Sequence, residues 1–198
     1  MKKQIAFFDF DGTITTNDTM LELIRFHHGS FRFLTGMLLL SPYLVMMKAG
    51  LMTNQAAKEK MLAHFFGGME LEVFDKVCQQ FALNRIPSMI RPGALEKIGM
   101  FKQAGTEVVI VTASAGNWIR PWSDTHGLSI IATVLETING KLTGRLLGKN
   151  CHGVEKVVRI KATYKLDEYG NISSFGDTSG DKPMLALANE PFYKPFRK

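Results

Sequence analysis

The stretch QIAFFDFDGT, residues 4–13, places an apolar run directly before two aspartates and a glycine. A short apolar run that ends at turn residues is typical of a buried strand, which we predict over residues 4–8. Side chains alternate along extended backbone, so we expect the carboxylates of Asp9 and Asp11 to point the same way and Phe8 and Phe10 to point the other way. The sequence therefore predicts a strand that delivers two acids to one spot.

A second acidic turn, GDTSGD at residues 176–181, closes another apolar run, residues 171–177. Asp177 and Asp181 are four residues apart, which puts them on one face if a helix begins there. Carboxylates that meet at one spot repel each other and are costly to desolvate unless a cation lies among them. Hard oxygen ligands suit Mg²⁺, so the two turns together predict a Mg²⁺ site and an enzyme of phosphate chemistry.

Predicted strands and helices alternate along most of the chain. The strands are residues 4–8, 106–114, 129–136 and 171–177, the helices are 93–104, 117–126, 153–166 and 183–188, and Asn139-Gly140 predicts a hairpin at 136–144. In the helix of residues 93–104 we expect Leu95, Ile98 and Phe101 to form the buried face. Such alternation favours an α/β fold with a doubly wound parallel sheet, whose ligand sites lie beyond the carboxyl ends of the strands.

Residues 14–91 interrupt this alternation with a long helical segment. We therefore predict a core domain from residues 1–14 and 92–198, and a helical cap of residues 15–91 inserted after the first strand. Residues 33–47 of the cap, FLTGMLLLSPYLVMM, contain no charged residue. This stretch is shorter than a membrane span, and we expect Pro42 to break it. One interpretation is a helical hairpin buried in the cap, and the alternative is an apolar cap surface that meets a membrane peripherally or meets an apolar substrate.

Composition narrows the function classes. The chain has 198 residues, 45% hydrophobic and 21% charged, with a net charge of +6, which is ordinary for a globular protein and attractive to anions. Basic residues do not cluster with aromatic ones, so we expect no nucleic-acid partner. The two cysteines, Cys78 and Cys151, suggest no disulfide framework. We expect a cytoplasmic protein, with a membrane-peripheral location as the alternative.

Four motifs in order, DFDGT at residues 9–13, Thr112, Lys156 and GDTSGD at residues 176–181, resemble those of the haloacid dehalogenase superfamily. Within it the chain is similar to the branch that contains phosphoserine phosphatase and phosphatases of lipid phosphates. The resemblance implies a Rossmann-like core with a helical cap. It also implies a phosphomonoesterase that works through an aspartyl-phosphate intermediate with Mg²⁺ as cofactor.

The same resemblance implies the catalytic roles. Asp9 would attack phosphorus, and Asp11 would protonate the leaving alkoxide and then activate water. Thr112 would bind a phosphate oxygen, and Lys156 would neutralise charge between the phosphoryl group and the nucleophile. The implied phosphate-binding residues are Phe10, Asp11, Thr112, Ala113 and Lys156, with main-chain N–H groups at Phe10, Asp11 and Ala113. The implied metal ligands are Asp9, Asp11 through its main-chain carbonyl, Asp177, and Asp181 in a water-mediated role.

The substrate stays open at this point. Asp18 is the nearest match to an acid that holds the substrate amine in phosphoserine phosphatases. Those enzymes place an arginine in the cap around a region where residues 51–62 of this chain offer Lys58 and Lys60 but no arginine, and a lysine lacks the bidentate grip of a guanidinium on a carboxylate. We therefore expect either a small phosphorylated metabolite, phosphoserine-like, or an amphiphilic lipid phosphate such as phosphatidylglycerophosphate. The alternatives are a phosphotransferase that uses the same aspartyl-phosphate, and a non-catalytic module that binds a membrane or a partner.

Overall fold

The computed structural model describes residues 2–197. The strands are β1 (Lys3–Phe8), β2 (Glu107–Ala115), β3 (Ser129–Thr133), β4 (Leu135–Ile138), β5 (Lys141–Leu146), β6 (Tyr169–Gly176) and β7 (Glu190–Tyr193). The helices are α1 (Thr19–Lys48), α2 (Asn54–Phe66), α3 (Leu71–Asn84), α4 (Pro92–Gln103), α5 (Gly116–Thr125), α6 (Val154–Thr163) and α7 (Lys182–Leu185). Short 3-10 turns cover Ile86–Met89, Leu166–Glu168 and Ser179–Asp181.

The core is a parallel sheet of five strands in the order β3-β2-β1-β6-β7, covered by helices on both faces. In the central strand, Ala6 and Phe8 pack on the side of α4 and α5, while Ile5 and Phe7 pack on the side of α6 and α7. A parallel strand buried on both faces needs apolar residues at every position, which is what residues 5–8 supply. The predicted doubly wound α/β fold with an inserted helical cap is confirmed.

Several details of the predicted core differ from the structure. The strand predicted over residues 129–136 ends at Thr133, and Leu135 already belongs to the separate sheet of β4 and β5. The helix predicted over residues 183–188 ends at Leu185.

Strand β7 was not predicted, because it has only four residues and contains Pro191, which fits the edge position it takes. The helix predicted over residues 153–166 ends at Thr163, and Tyr164 is already extended. The expected burial of Leu95 is wrong: this side chain is exposed, and Ala94 and Ile98 are the buried residues of α4.

The cap consists of α1, α2 and α3, and two connecting segments join it to the core. These segments pair with each other: the Thr16 N–H donates to the Met89 carbonyl at 2.8 Å, and the Arg91 N–H donates to the Ile14 carbonyl at 2.8 Å. Both hydrogen bonds lie next to the boundaries predicted from the sequence. The paired segments hold the cap above the carboxyl end of β1.

Helix α1 bends at Gly29, where φ is 76° and ψ is 166°. The bend separates the second part of the helix, residues 30–48, from the first, and we call this second part the rod. The hairpin expected within residues 33–47 is wrong, because this rod continues through Pro42. Proline cannot donate to the carbonyl four residues earlier, which is that of Leu38. The Ser41 hydroxyl donates to that carbonyl instead, at 2.7 Å, so the helix tolerates the proline.

The predicted hairpin is confirmed as β4 and β5, with positive φ at Asn139 and Gly140 in its turn. It belongs to the core segment of the sequence but packs against the cap helix α2. A Cβ atom on Gly144 would lie 2.3 Å from the Ala63 Cα, so only glycine allows this approach. The Leu142 N–H also donates to the Met69 carbonyl at 2.9 Å. The hairpin is therefore a second attachment of the cap to the core.

Candidate active site

The loop after β1 carries the first pair of acids. Residues 10–14 form one tight turn, closed by the Thr15 N–H, which donates to the Phe10 carbonyl at 3.0 Å. Gly12 has a φ of 82°, and a Cβ atom there would lie 2.5 Å from the Asp177 Oδ2. Any other residue would strain the backbone and collide with that carboxylate. Gly12 thus brings the two acidic turns into contact.

Lys156 lies buried between two carboxylates beneath this loop. Its Nζ donates to the Asp9 Oδ1 at 2.6 Å, to the Asp181 Oδ1 at 2.7 Å and to the Val111 carbonyl at 2.7 Å. The three charged side chains are at most 9% exposed. Lys156 therefore enters the site, while its sequence neighbours Lys149 and Lys161 are exposed.

Asp177 completes an acidic cluster with Asp9 and Asp181. Carboxylate oxygens of these three residues lie within 4.8 Å of one another. The Thr13 hydroxyl bridges two of them, at 3.1 Å from Asp9 Oδ2 and 3.3 Å from Asp177 Oδ1, and the Arg197 guanidinium also reaches Asp177. Buried hard oxygen donors at this spacing fit Mg²⁺. Asp9 and Asp177 are the residues of this cluster that would hold the ion directly.

Asp181 is already occupied by other partners. Its Oδ1 accepts from Lys156, and its Oδ2 accepts from the main-chain N–H groups of Asp177 and Thr178 at 3.1 and 2.9 Å. The Thr178 hydroxyl adds a third donor to Oδ2 at 2.9 Å. These hydrogen bonds fix the Asp177 loop, so Asp181 supports the site from behind and fits an indirect role at an ion.

The Asp11 carboxylate lies apart from that cluster. Its Oδ1 accepts from the Thr19 N–H and hydroxyl, both at 2.6 Å, and its Oδ2 accepts from the Ser114 hydroxyl at 2.6 Å and from Thr112 at 3.4 Å. Asp9 and Asp11 nevertheless line the same cavity between cap and core, and Phe8 and Phe10 pack in the same apolar cluster, as strand alternation predicts. The main-chain carbonyl of Asp11 as a metal ligand stays a prediction.

Two side chains that contact Asp11 were missed from the sequence. Thr19 begins α1, and its hydroxyl also accepts from the Trp118 Nε1 at 3.0 Å, so it joins the cap to the core. Ser114 lies two residues beyond Thr112 at the end of β2, where alternation alone places both side chains on the same side. That spacing was the available signal for Ser114. Thr19 carried no comparable signal, because the first turn of a cap helix is brought to Asp11 only by the fold.

Burial sets the protonation of the cluster. It raises the pKa of the Asp9 carboxyl to about 7, against the Lys156 ammonium, which lowers it. Burial alone would lower the pKa of Lys156, but Asp9 and Asp181 hold it well above its usual range. Burial would likewise raise the pKa of Asp181, but Lys156 holds it below its ordinary value. Lys156 is thus charged, and a cation beside Asp9 would favour the ionised form of that carboxyl.

A cavity of about 380 Å³ opens above these residues, between cap and core. Its floor contains Asp9, Asp11, Ser114 and Lys156. Its roof comes from the cap, where Asp18, Asn54 and Lys58 are the polar lining residues and the others are apolar side chains of α1 and α2. The apolar roof residues are Met20, Leu21, Met37, Leu44, Met47, Ala57 and Met61. The cavity therefore combines a charged floor that can bind an anion with an apolar surface on the side of the cap.

The two residues predicted to govern specificity both line this cavity. The Lys58 Nζ donates to the Ala113 carbonyl at 2.8 Å and to the Asn150 Oδ1 at 3.3 Å, so it crosses from cap to core. Asp18 caps α1 by accepting from the Leu21 N–H at 3.0 Å. Desolvation of the carboxyl, followed by the nearby negative charge of Asp11, raises the pKa of Asp18 to about 6. Neither side chain forms a two-pronged site for a carboxylate.

The remaining phosphate-binding predictions concern main-chain groups. Phe10 is fully buried, with its ring against Trp122, so only its main chain is available to a ligand. Ala113 lines the cavity where the pairing of β2 with β3 shifts between Thr112 and Ala115. Both positions are compatible with N–H groups that face a phosphate, and this role stays a prediction.

Comparisons with known proteins agree with this geometry. The family model described as haloacid dehalogenase-like hydrolase matches residues 6–186. Protein CicA of Caulobacter vibrioides is 34% identical over 194 residues, which cover 96% of this chain and 85% of that protein. Phosphoserine phosphatase SerB1 of Mycobacterium tuberculosis is 25% identical over 189 residues, which cover 92% of this chain and 61% of that protein.

The solved structure of a Bordetella pertussis protein of unknown function superposes with a TM-score of 0.78. It is 22% identical in sequence, and the match covers 95% of this chain and 88% of that one. At that identity the likeness concerns the fold alone, core and cap together.

Proposed function

Because this chain belongs to the haloacid dehalogenase-like hydrolases, as a phosphatase of their phosphoserine phosphatase-like branch, we propose that it is a Mg²⁺-dependent phosphomonoesterase that forms an aspartyl-phosphate. The observation that carries the proposal is the buried Lys156 between Asp9 and Asp181, at the floor of a cavity that opens toward the cap. This arrangement holds a nucleophilic carboxylate beneath a space for a phosphate ester.

In the first step Asp9 attacks phosphorus. The new bond joins a carboxylate oxygen of Asp9 to phosphorus, and the bond from phosphorus to the substrate oxygen breaks. Asp11 gives its proton to the leaving alkoxide, which departs as an alcohol. Lys156 holds Asp9 in place at 2.6 Å and offsets the negative charge between carboxylate and phosphoryl group.

In the second step water replaces Asp9 on phosphorus. Asp11 takes a proton from the water, whose oxygen bonds to phosphorus while the bond to Asp9 breaks. Inorganic phosphate leaves, and Asp9 and Asp11 return to their starting forms. The hydrogen bonds from Thr19 and Ser114, both at 2.6 Å, hold Asp11 in one orientation through both steps.

The proposed ion would be held by the Asp9 and Asp177 carboxylates and the Asp11 main-chain carbonyl, with Asp181 behind them through water. It would supply positive charge that reduces the repulsion between Asp9 and the phosphoryl oxygens. Asp181 orients the Asp177 loop for this purpose by its contacts with the Asp177 and Thr178 N–H groups.

For the substrate we favour a phosphate ester with an apolar group. Four methionines, Met20, Met37, Met47 and Met61, contribute to the cavity roof, and methionine side chains adapt to flexible apolar ligands. The described residues that line the cavity include two lysines and no arginine. A small phosphorylated metabolite with a carboxylate would lack a bidentate partner there. The proposal therefore ranks an amphiphilic phosphate, including a lipid phosphate, above phosphoserine.

The first test is turnover of a soluble aryl phosphate. Activity should require Mg²⁺, vanish with EDTA and return when Mg²⁺ is added. Asp9→Asn should abolish turnover, while the matched exposed change Asp167→Asn should leave it intact. Activity that persists in EDTA, or in Asp9→Asn at the wild-type rate, would contradict the mechanism.

The second test is a panel of phosphate esters that includes lipid phosphates in detergent. We expect kcat/KM to rise with the length of the apolar group. A preference for phosphoserine would overturn the substrate assignment without touching the mechanism. Addition of an acceptor alcohol distinguishes hydrolysis from phosphotransfer, because only a phosphotransferase would form a new phosphate ester.

A reducing, cytoplasmic location is part of the proposal. It is supported by the two thiols of Cys78 and Cys151, which are free and buried. Fractionation of cells should place the protein in the cytoplasm or on the cytoplasmic face of a membrane.

A further inference from the structure

The second part of α1, residues 30–48, exposes a continuous apolar surface that the fold does not use. We call it the outer face, and its residues are Phe31, Leu34, Leu38, Leu39, Val45 and Met46. Leu34 and Leu38 are 63% and 75% exposed, and Phe31 is 80% exposed. Residues spaced by three, four and seven lie on one side of a helix, so these side chains form one stripe along the rod.

The opposite side of the same rod is fully engaged. Phe33 and Leu40 are buried in the cap, and Met37, Leu44 and Met47 line the catalytic cavity. Gly36 permits the close approach to α2, because a Cβ atom there would lie 2.4 Å from the Phe65 ring. The rod is thus fixed in orientation, and its outer face cannot turn inward. Only 17% of the most apolar window of α1 is buried.

The charged residues of the rod itself have one sign. Residues 23–58 contain no aspartate or glutamate. Arg32 and Lys48 stand near the two ends of the rod and are exposed, and Lys60 of α2 lies over the Tyr43 ring at 5.6 Å. Long basic side chains beside an apolar stripe can reach the headgroup level of a bilayer while the stripe enters it. Their charge complements an anionic surface.

We propose that the outer face of α1 docks this protein onto an anionic lipid bilayer. The rod lies in the interface and does not cross it, because its inner side is held in the cap and against the catalytic cavity and only its outer face is free to meet lipid. The role of this docking in catalysis rests on the proposed function. The cavity wall and the outer face are two sides of one helix, so docking brings the cavity within reach of an amphiphilic phosphate in the same membrane.

The test is co-sedimentation of the full chain with vesicles. Vesicles of phosphatidylcholine mixed with phosphatidylglycerol should bind the protein, and phosphatidylcholine alone should bind it weakly. Higher salt should release it. The double variant Leu34→Glu/Leu38→Glu should reduce the partition coefficient by about ten-fold or more, since it removes apolar area and adds repelling charge. The matched control, Leu95→Glu/Met100→Glu, changes exposed apolar residues of α4 by the same charge and should bind like the wild type.

Several outcomes separate the inference from the proposed function. Turnover of a soluble aryl phosphate without vesicles should be equal in the wild type and both double variants, and Leu34→Gln/Leu38→Gln serves if the acidic pair does not fold. Absent vesicle binding with normal turnover would overturn the docking surface alone. Normal vesicle binding without turnover would overturn the enzyme mechanism alone. A concentration-dependent dimer abolished by Leu34→Glu/Leu38→Glu, with no vesicle binding, would make a second copy of the chain the occupant and overturn the proposal.

Discussion

Replacement of Lys156 by methionine should lower the free energy of unfolding, because it removes the buried ion pairs of the active site. The Lys156 ammonium is 1% exposed and donates to Asp9, Asp181 and the Val111 carbonyl at 2.6–2.7 Å. Methionine has a similar length and no charge, so the variant fills the space and removes the ion pairs. Two buried carboxylates and a carbonyl then lose their common donor.

The expected cost follows from the buried charges. Removal of one partner from a buried ion pair destabilises a protein by about 3–5 kcal/mol, because the remaining charge stays without compensation. Asp181 keeps its donors at Thr178, so Asp9 carries most of this penalty. The pKa of Asp9 is about 7 with the ammonium present and would rise further without it. A carboxyl with a raised pKa in the folded state loses stability as pH rises through that pKa, so the penalty should be larger near pH 8 than near pH 6.

Urea unfolding in EDTA, followed by the fluorescence of Trp118 and Trp122 in the core, measures this free energy. Lys161→Met is the matched control, because it makes the same change at an exposed position of α6 and should cost less than about 0.5 kcal/mol. A loss below about 1 kcal/mol for Lys156→Met, or an equal loss in both variants, would refute the assignment of Lys156 as the buried partner of Asp9.

Three further predictions follow from single contacts. Ser114→Ala removes the 2.6 Å hydrogen bond to Asp11 and should lower kcat by about ten- to a hundred-fold, measured with an aryl phosphate, since a hydrogen bond to a charged group contributes about 1.5–3 kcal/mol. Gly29→Ala should destabilise the protein by about 1–3 kcal/mol in urea unfolding because of its φ of 76°, whereas Gly99→Ala within α4 should be neutral or stabilising. Burial lowers the pKa of His28 below its ordinary 6.5, so the wild type should lose stability relative to His28→Gln as pH falls below 6.5; a constant difference would contradict this.

The sequence predicted the parts of the site that depend on one strand end each. Asp9 and Asp177 follow β1 and β6, and the parallel sheet places those strand ends together. Lys156, which the family resemblance implied, lies on α6 and reaches between Asp9 and Asp181. Strand alternation, extended past the end of β1 at Phe8, placed Asp11 on the cavity side with Asp9, but it could not show that the Asp11 carboxylate lies apart from the acidic cluster. The turn at residues 10–14 depends on Gly12 meeting Asp177, which is a contact between distant segments. Local alternation cannot report such a contact.

The apolar stretch of the cap was harder to predict for a similar reason. Pro42 indicated a break, and the helix continues because Ser41 supplies the hydrogen bond that proline cannot. The break in fact lies at Gly29, where φ is positive and where the sequence around it reads as helical. Which side of residues 30–48 is buried depends on the position of α2, so periodicity alone could not distinguish a core helix from a surface helix.

The outer face of α1 adds little to the free energy of folding, because its side chains contact water in the folded and the unfolded chain alike. Its free energy becomes available only on association. If four of the six side chains of the outer face enter the apolar phase, their transfer would supply about 6–12 kcal/mol, at about 1.5–3 kcal/mol each. Association itself costs about 4–15 kcal/mol, so the apolar contribution alone is close to balance. Arg32, Lys48 and Lys60 would add about 1 kcal/mol each at an anionic surface, which is lost at high salt. Neither contribution holds the protein alone, so we expect reversible binding that fails when either the leucines or the charge attraction is removed.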